Sequence, residues 1–395
     1  METRRKCGTG VRLVVLMTSG LMLGLCACGG GGESAQDTGG GDSNPDAAVA
    51  ELPREDIRGN DVVPVDVVPE LVEGETAAET SVEVTPEVAP EAADEPELTG
   101  PETLTLLDFK LPKPMAGIVA VSAGDAAAYI FGGDGGGAPL ATVVRFVPDV
   151  GAEIVDGAVL PQPVKAASAV WAGDEYGAFV FGGMTANGMT EAIQRCEFAG
   201  PSCTALDSKL PSKRALTAAF FDGKNAYIMG GNAGAAGPTD QILRFDPQTA
   251  KIDVLPEKLP TPRASRIGVV WSGELAFHLG GLVPGGKTGE ILQYDPAAGT
   301  IVDSGMQLPL PMDGGACAWL GAAVMVFGGE TTVSTTDAVL VISPNTSEVK
   351  VSDLELPSPR RGGAAAVLNS NVYVFGGTGT AGLLDEILRY SPPGD

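Results

Sequence analysis

The chain has 395 residues, with 25 Lys and Arg against 50 Asp and Glu, a formal charge of −25, and a single histidine. No stretch offers the clustered basic face that a phosphate backbone requires, so the composition argues against nucleic acid as a partner. One histidine excludes His-metal clusters and leaves His278 as the only base for a Ser-His-Asp or Cys-His arrangement. The sequence therefore predicts no catalytic, cofactor-binding or metal-ligating residues.

The N-terminus has the pattern of a secretory signal. Basic residues precede an apolar run from Leu13 to Leu25: Arg4, Arg5, Lys6 and Arg12. The run is shorter than the ~20 residues that a membrane-spanning helix needs. Residues 1–27 are therefore predicted to be a signal peptide rather than a transmembrane helix.

The end of this run, Leu25-Cys26-Ala27-Cys28 followed by Gly29, resembles the lipobox of bacterial lipoproteins. The resemblance implies cleavage before Cys28 and lipid attachment to Cys28, whereas ordinary cleavage without lipid is the alternative. It also implies a lipid-anchored protein of the bacterial cell envelope, with the outer membrane favoured over the inner one. The domain would face the periplasm or the exterior.

The next segment, residues 28–102, is predicted to be a disordered acidic tether rich in Pro and Gly. From residue 29 to residue 102 there are 20 acidic residues against Arg54 and Arg58, and no aromatic side chain. Such a composition cannot bury enough apolar surface to offset the entropy cost of ordering the chain. Short strands or a partner-binding role for its Val-rich pieces are the alternatives.

From residue 103 onward the sequence contains six repeats. Apolar runs end in Gly pairs whose first members are 48 to 50 residues apart: Gly132, Gly182, Gly230, Gly280, Gly328 and Gly376. Leu-Pro pairs recur with nearly the same period: Leu111, Leu160, Leu210, Leu259, Leu308 and Leu356. Because two independent markers stay in phase over six copies, residues 103–395 are predicted to form one repeat domain.

Each repeat contains four short runs rich in Val, Ile and aromatic residues, bounded by turn residues, which is typical of an antiparallel meander. A four-stranded blade buries its faces only against neighbouring blades, so the repeats predict an all-β, six-bladed β-propeller. The segment from Leu104 to Phe109 resembles a fourth strand with no earlier strands, while the last repeat ends after its third strand at Tyr390. The N-terminal strand is therefore predicted to complete the last blade and close the ring.

The Gly pairs, the Tyr-Asp-Pro at Tyr294 and the Leu-Pro-x-Pro-Arg ending at Arg263 resemble the kelch repeat over about 290 residues of the chain. The resemblance implies a kelch propeller whose loops bind proteins or sugars. The typical kelch Trp is missing, because the corresponding positions hold aliphatic residues such as Ile252 and Val302. The three tryptophans end the first strands instead and are predicted to pack between blades, with an exposed aromatic row as the alternative: Trp171, Trp271 and Trp319.

The loops after the second and fourth strands share one face of a propeller, and this face is the candidate ligand site. Five arginines in its loops are the candidate ligand residues: Arg214, Arg263, Arg266, Arg360 and Arg361. They suggest an anionic ligand, such as an acidic sugar or a carboxylate-bearing peptide. The structural alternative is that they pair with acids of adjacent loops and lock the blades together: Glu191, Asp240, Asp337 and Asp385.

The function predicted from these features is a non-enzymatic binding module for a protein or a glycan. The alternative is a sugar mutarotase or epimerase that uses carboxylate and Arg groups at the propeller mouth. His278 replaces an aliphatic residue of its sister strands and is expected to be a hydrogen-bonded core residue. The sequence does not indicate the oligomeric state.

Two cysteines flank a predicted hairpin centred on Ala199-Gly200. Because a hairpin sets Cys196 and Cys203 opposite each other and the protein is predicted to be exported, a disulfide between them is expected, with two free thiols as the alternative. Cys317 lies in a first strand and is expected to be a small buried residue.

Overall fold

The structure is a computed structural model that describes residues 101–394. The predicted signal peptide, the lipid attachment at Cys28 and all but the last two residues of the predicted tether lie outside the described residues. Among residues 101–394, no helix has the length and apolar character required to span a bilayer.

The described chain forms six antiparallel blades, numbered here along the sequence, and begins with β1 (Thr103–Lys110). Blade 1 contains β2 (Val119–Ala123), β3 (Ala127–Phe131), β4 (Leu140–Val147) and β5 (Gly151–Val164). Blade 2 contains β6 (Ser168–Trp171), β7 (Ala178–Phe181), the small hairpin β8 (Met184–Thr185) and β9 (Gly188–Met189), then β10 (Ala192–Glu197) and β11 (Ser202–Lys209). Blade 3 contains β12 (Ala218–Phe221), β13 (Ala226–Met229), β14 (Gln241–Asp246) and β15 (Lys251–Lys258).

Blade 4 contains β16 (Val269–Trp271), β17 (Ala276–Val283), β18 (Gly286–Asp295) and β19 (Thr300–Gln307). Blade 5 contains β20 (Met312–Asp313), β21 (Ala316–Leu320), β22 (Ala323–Thr331), β23 (Thr335–Ser343) and β24 (Glu348–Glu355). Blade 6 contains β25 (Ala364–Leu368), β26 (Asn371–Phe375), the small hairpin β27 (Thr378–Gly379) and β28 (Gly382–Leu383), and β29 (Glu386–Ser391).

The position of a strand within its blade determines its burial. The second strands are covered on both faces by neighbouring blades, and every residue of β3, β7 and β13 is buried. The outer strands alternate between partly buried and exposed residues, as in β11 and β24, because one face of each remains in water. The apolar runs before the Gly pairs are therefore the second strands of the blades.

The N-terminal strand closes the ring, as the sequence predicted. β1 pairs antiparallel with β29 and becomes the outer strand of blade 6, with Thr103 opposite Ser391 and Leu104 opposite Tyr390. Glu102 adds a side-chain contact by accepting a hydrogen bond from the Tyr390 hydroxyl at 2.8 Å. The prediction of an all-β, six-bladed propeller closed by an N-terminal outer strand is confirmed.

The core lies between blades rather than within them. Phe146 of blade 1, for example, packs against Tyr373 and Phe375 of blade 6, with ring centroids 4.9 and 5.2 Å apart. Trp271 and Trp319 stack on rings of the preceding blades, and Trp171 lies in a cluster with Tyr129 of blade 1 and Phe198. The tryptophans therefore pack between blades, as predicted, and each interface is built from side chains of two adjacent blades.

Removal of β1 tests the closure. A protein that begins at residue 111 exposes the edge of β29 and the apolar surface that Leu107 and Phe109 cover. We expect the loss in its free energy of unfolding to be as large as the total for a typical domain, so that the ring does not stay folded. Thermal unfolding followed by circular dichroism, together with size-exclusion chromatography, measures this loss. A protein that begins at residue 101 keeps β1 and is the control; equal melting of the two proteins would contradict the closure.

Candidate functional site

One face of the propeller, here called the mouth face, collects the loops after the second and fourth strands of every blade. In each blade, a residue that precedes the first strand bridges to the residue that follows the Gly pair. The six pairs are Ala116 with Asp134, Lys165 with Met184, Ala215 with Asn232, Ala264 with Leu282, Asp313 with Glu330, and Arg361 with Thr378. The polar members of these pairs therefore surround one end of the propeller axis.

The axis itself is a narrow channel with a cavity of about 130 Å³. The segments of all six blades that line it are rich in Gly and Ala, including Gly117, Ala167, Ala218, Gly315 and Ala364. Small side chains are needed there because six strands converge on one axis. The cavity has the volume of a few water molecules, so a larger ligand has to bind mainly at its mouth.

Backbone hydrogen bonds link successive blades around this channel. Their N···O distances are 2.7 to 2.8 Å, and they run from Gly117 to Gly362, from Ala166 to Gly117, from Leu216 to Ala166, from Ser265 to Leu216 and from Gly362 to Gly314. At the junction of blades 4 and 5 a side chain replaces the peptide carbonyl. The Asp313 carboxylate accepts from the Arg266 backbone N–H at 2.7 Å and from Arg266 Nε at 2.9 Å.

An extra residue in blade 4 accounts for this exception. The connection into each blade contains a buried Arg, Met or Val, and the first strand contains a residue that pairs with an aromatic or Met residue of the second strand. In the other five blades these two residues are six positions apart, as Arg214 and Phe220 are. In blade 4 the interval from Arg263 to Val270, the partner of Phe277, is seven. The insertion places Arg266 in the wall of the channel next to Asp313.

Arg266 belongs to a group of charged side chains that we call the Glu330 cluster: Arg266, Lys287, Asp313, Glu330 and Arg361. Arg361 Nη1 donates to Glu330 Oε1, and Lys287 Nζ lies 3.3 Å from Glu330 Oε2. Arg266 Nη2 lies 3.8 Å from the same Oε2 atom. Asp313 is fully buried, whereas the side chains of Glu330 and Arg361 are 27% and 40% exposed.

A simpler ion pair lies elsewhere on the mouth face. Lys165 Nζ lies 2.5 Å from Asp134 Oδ2. The hydrogen bond from Lys165, with smaller contributions from the Gly136 and Gly137 amides, lowers the pKa of Asp134. This pair is balanced, one cation to one carboxylate, unlike the Glu330 cluster.

The structure separates the five candidate arginines into two groups. Arg214, Arg263 and Arg360 are at most 2% exposed, while Arg266 and Arg361 remain partly exposed in the Glu330 cluster. Burial lowers the pKa of Arg214 and of Arg263. A ligand on the surface would not reach the three buried guanidinium groups.

The buried arginines hold blades together. Arg263 Nη2 donates to Glu290 Oε2 at 2.6 Å, and Arg360 Nη2 donates to Glu386 Oε2 at 2.5 Å. Arg214 Nη2 donates to the amide oxygen of Gln241 at 2.7 Å. Each of these bonds runs to the third strand of the blade that follows the arginine. The backbone carbonyl of each arginine accepts a hydrogen bond from the Gly pair of the preceding blade, as Gly231 N–H donates to Arg263 at 2.9 Å, so each arginine joins two blades.

The acids that the sequence analysis named as partners for these arginines were wrong by one position. Glu290 and Glu386 lie one residue beyond the positions of the predicted series, within the third strands β18 and β29, where successive side chains point to opposite faces. Acids of the predicted series pair with lysines at the outer-strand ends instead: Asp385 with Lys110, Glu191 with Lys209 and Asp240 with Lys258.

His278 is a core residue, but the expectation that it is hydrogen-bonded was wrong. It is 1% exposed, and neither of its ring nitrogens has a hydrogen-bond partner among the described residues. Burial, and secondarily the charge of Arg263, lower the pKa of His278 to about 3. The imidazole is therefore neutral and unavailable as a base for a ligand at the mouth face.

The two cysteines of blade 2 form a disulfide in the structure, directly opposite each other in β10 and β11. Cys317, expected to be buried, is a free thiol that is only partly buried, because it lies in the wall of the channel; its Sγ donates to the Ile267 carbonyl at 2.9 Å. Burial raises the pKa of Cys317 to about 12, so the thiol is not a nucleophile at neutral pH. No group of three or more His, Cys, Asp or Glu side chains in residues 101–394 is arranged to hold a metal ion.

The face opposite the mouth carries acidic side chains. A cavity of about 340 Å³ there is lined by Asp222, Glu274 and Asp295 together with Trp271. An anion approaching this cavity meets carboxylates, whereas at the Glu330 cluster it meets three cations and two carboxylates, an excess of one positive charge. The two places therefore differ in charge, and the Glu330 cluster is the better site for an anionic ligand.

Three residues of the Glu330 cluster were not predicted from the sequence: Lys287, Asp313 and Glu330. Asp313 and Glu330 occupy the two bridging positions that hold Ala116 and Asp134 in blade 1. An alignment of the six repeats on these two positions would have shown that blade 5 is the one with an acid at both. No sequence signal indicated Lys287, because it reaches the cluster from a hairpin of blade 4.

The fold defines the chain as a six-bladed β-propeller. A solved structure of YjhT has the same architecture: it aligns with a TM-score of 0.61 and 17% identity, covering 71% of this chain and 95% of that chain. At this identity the similarity establishes the fold alone. No family model and no curated protein matches the sequence.

Replacement of His278 tests the cost of its burial. The pKa of His278 is lower in the folded than in the unfolded state, so its contribution to stability is lost as the pH falls from about 6.5 towards 3. We expect His278→Val, which copies Val326 of blade 5, to raise the free energy of unfolding by about 1–3 kcal/mol at pH 7 and more at pH 5. Urea denaturation of the wild type and the variant at both pH values measures this gain, and a gain no larger at pH 5 than at pH 7 would contradict the expectation.

Proposed function

We propose that this chain is an exported lipoprotein that presents a kelch-type propeller as a binding module for an anionic, carboxylate-bearing ligand. The observation that supports the proposal is the position of Arg266 and Arg361. Both are partly exposed, and Arg266 lines the axial cavity. The kelch-like motifs favour a loop-borne binding site of this kind.

The charges of the cluster support an anion in particular. The cluster contains three cations and two carboxylates. Asp313 is engaged by Arg266 through two hydrogen bonds, so Glu330 is the one carboxylate left for Lys287 and Arg361, with Arg266 Nη2 at 3.8 Å. Guanidinium groups bind carboxylates through paired, directional hydrogen bonds, which makes an acidic sugar or the carboxylate of a peptide a suitable ligand.

The alternative is a sugar mutarotase or epimerase, and Glu330 is the observation that favours it. A partly exposed carboxylate beside two arginines, of which Arg266 lines the axial cavity, has the groups that proton transfer to a sugar ring requires. The two functions share a ligand class and a site, and they differ in whether the bound sugar is chemically changed.

One NMR experiment measures both properties with glucuronate as the probe and glucose as the neutral comparison. A binding module broadens or shifts the glucuronate signals without accelerating exchange between its anomers, whereas a mutarotase accelerates that exchange. We expect Arg361→Gln to weaken binding by about tenfold, because it removes a charge-assisted contact. Lys350→Gln, at an exposed position on β24, is the control. Failure of glucuronate, acetate and an N-acetylated amino acid to bind would contradict the proposal.

The proposed anchor has its own test. Cys28→Ser removes the only thiol to which a lipid would be attached at the predicted cleavage site, so we expect it to abolish incorporation of a labelled fatty acid and to release the protein from membranes. Cys26→Ser should leave both unchanged. Labelling that persists in Cys28→Ser would contradict lipidation at this residue, and fractionation of the envelope would test the proposed outer-membrane location.

A further inference from the structure

We infer that Arg266, Lys287 and Arg361 form a binding site for a single carboxylate, and that Glu330 occupies this site when no ligand is bound. The inference rests on the proposed function and adds to it the ligand group, the residues that hold it and the competition that controls its entry. Glu330 is then an internal competitor of the ligand.

The cations converge on one carboxylate from three separate segments. Lys287 extends from β18 of blade 4, Arg266 from the connection before β16 that contains the extra residue, and Arg361 from the connection into blade 6. Glu330 reaches them from the end of β22. Lys287 is fixed further, since its Nζ also donates to the Thr331 carbonyl at 2.7 Å.

Asp313 positions the site rather than filling it. This carboxylate is fully buried, and its two oxygens accept the backbone N–H and the Nε of Arg266. Its interactions keep the Arg266 guanidinium at the channel wall. A ligand has no access to Asp313, whereas it has access to the partly exposed Glu330 and Arg361.

Exchange of Glu330 for a ligand carboxylate keeps the number of ion pairs unchanged. The incoming carboxylate meets the same three cations, and the displaced Glu330 side chain gains water at the rim, where it is already 27% exposed. The affinity observed for a ligand is then reduced by the fraction of time that Glu330 occupies the site. The blade-locking pairs of Arg263 and Arg360 differ, because their guanidinium groups are buried and no ligand can replace the acid.

A purely structural role for the cluster makes a different prediction. If Glu330 serves only to link blades 4, 5 and 6, its neutralisation weakens the fold and leaves no better site for an anion. If Glu330 is a competitor, its neutralisation leaves Lys287 and Arg361 without a carboxylate, next to the Asp313-bound Arg266, and creates a stronger anion site. The two roles are therefore separated by the affinity for small carboxylates, not by stability alone.

The experiment compares the wild-type protein with Glu330→Gln and Glu330→Ala by calorimetric titration. The probes are glucuronate for an acidic sugar, an N-acetylated amino acid for a peptide carboxylate, acetate for the bare group, and glucose as the neutral comparison. We expect both variants to bind at least one carboxylate about tenfold more tightly than the wild type does, and not to bind glucose. The same carboxylate should raise their melting temperatures more than that of the wild type.

Asp240→Asn is the matched control, since it frees Lys258 from a pair on the outer rim that involves one cation only. It should leave carboxylate affinity unchanged. Adding Arg361→Gln to Glu330→Gln should remove the gain in affinity. The preferred probe tells whether the site favours a sugar acid or a peptide carboxylate.

The outcomes separate this inference from the proposed function. If the wild type binds a carboxylate and both folded Glu330 variants bind it equally or more weakly, the inference is wrong and the proposed function stands. Carboxylate binding by no protein would overturn both. An equal gain in Asp240→Asn would also overturn the inference, because it would show that any freed cation has the same effect.

Discussion

The antiparallel pairing of β1 with β29 is the interaction on which the rest of the structure depends. Each blade buries its apolar faces only against its two neighbours, as Phe146 of blade 1 does against blade 6. An open ring would expose two such faces and an unpaired strand edge. The outer strand of the last blade therefore has to come from the far end of the chain, and the register of Thr103 with Ser391 sets the position of the first connection on the mouth face.

The site arises where the six-fold repetition is broken. Five junctions around the channel use peptide groups, and the junction of blades 4 and 5 uses Asp313 and Arg266 because blade 4 carries one extra residue. Peptide groups are the same in every blade, whereas the charged side chains at this junction are found in one place only. The departure from the repeat is therefore where the ring can distinguish one ligand from another. The repeats supply a rigid frame, and the departure supplies the charged groups.

The sequence predicted the fold well and the site only in part. Gly pairs and Leu-Pro pairs are required by the backbone conformation at the ends of strands, which is the same in every blade. The number of these pairs therefore gives the number of blades. The role of an arginine is not readable in this way, because Arg263 and Arg361 occupy adjacent positions of the repeat yet one is buried and the other is exposed. Glu330 and Lys287 come together through hairpins whose mutual distance is a property of the assembled ring.

The direction of β1 has a consequence for how the propeller is approached. Outer strands run from the far face towards the mouth face, so Thr103 begins on the far face and Lys110 leads into the first connection at the mouth. Ser391 lies beside Thr103, so both ends of the folded chain emerge from the back of the disc. Within residues 101–394, neither end of the chain therefore crosses the mouth face.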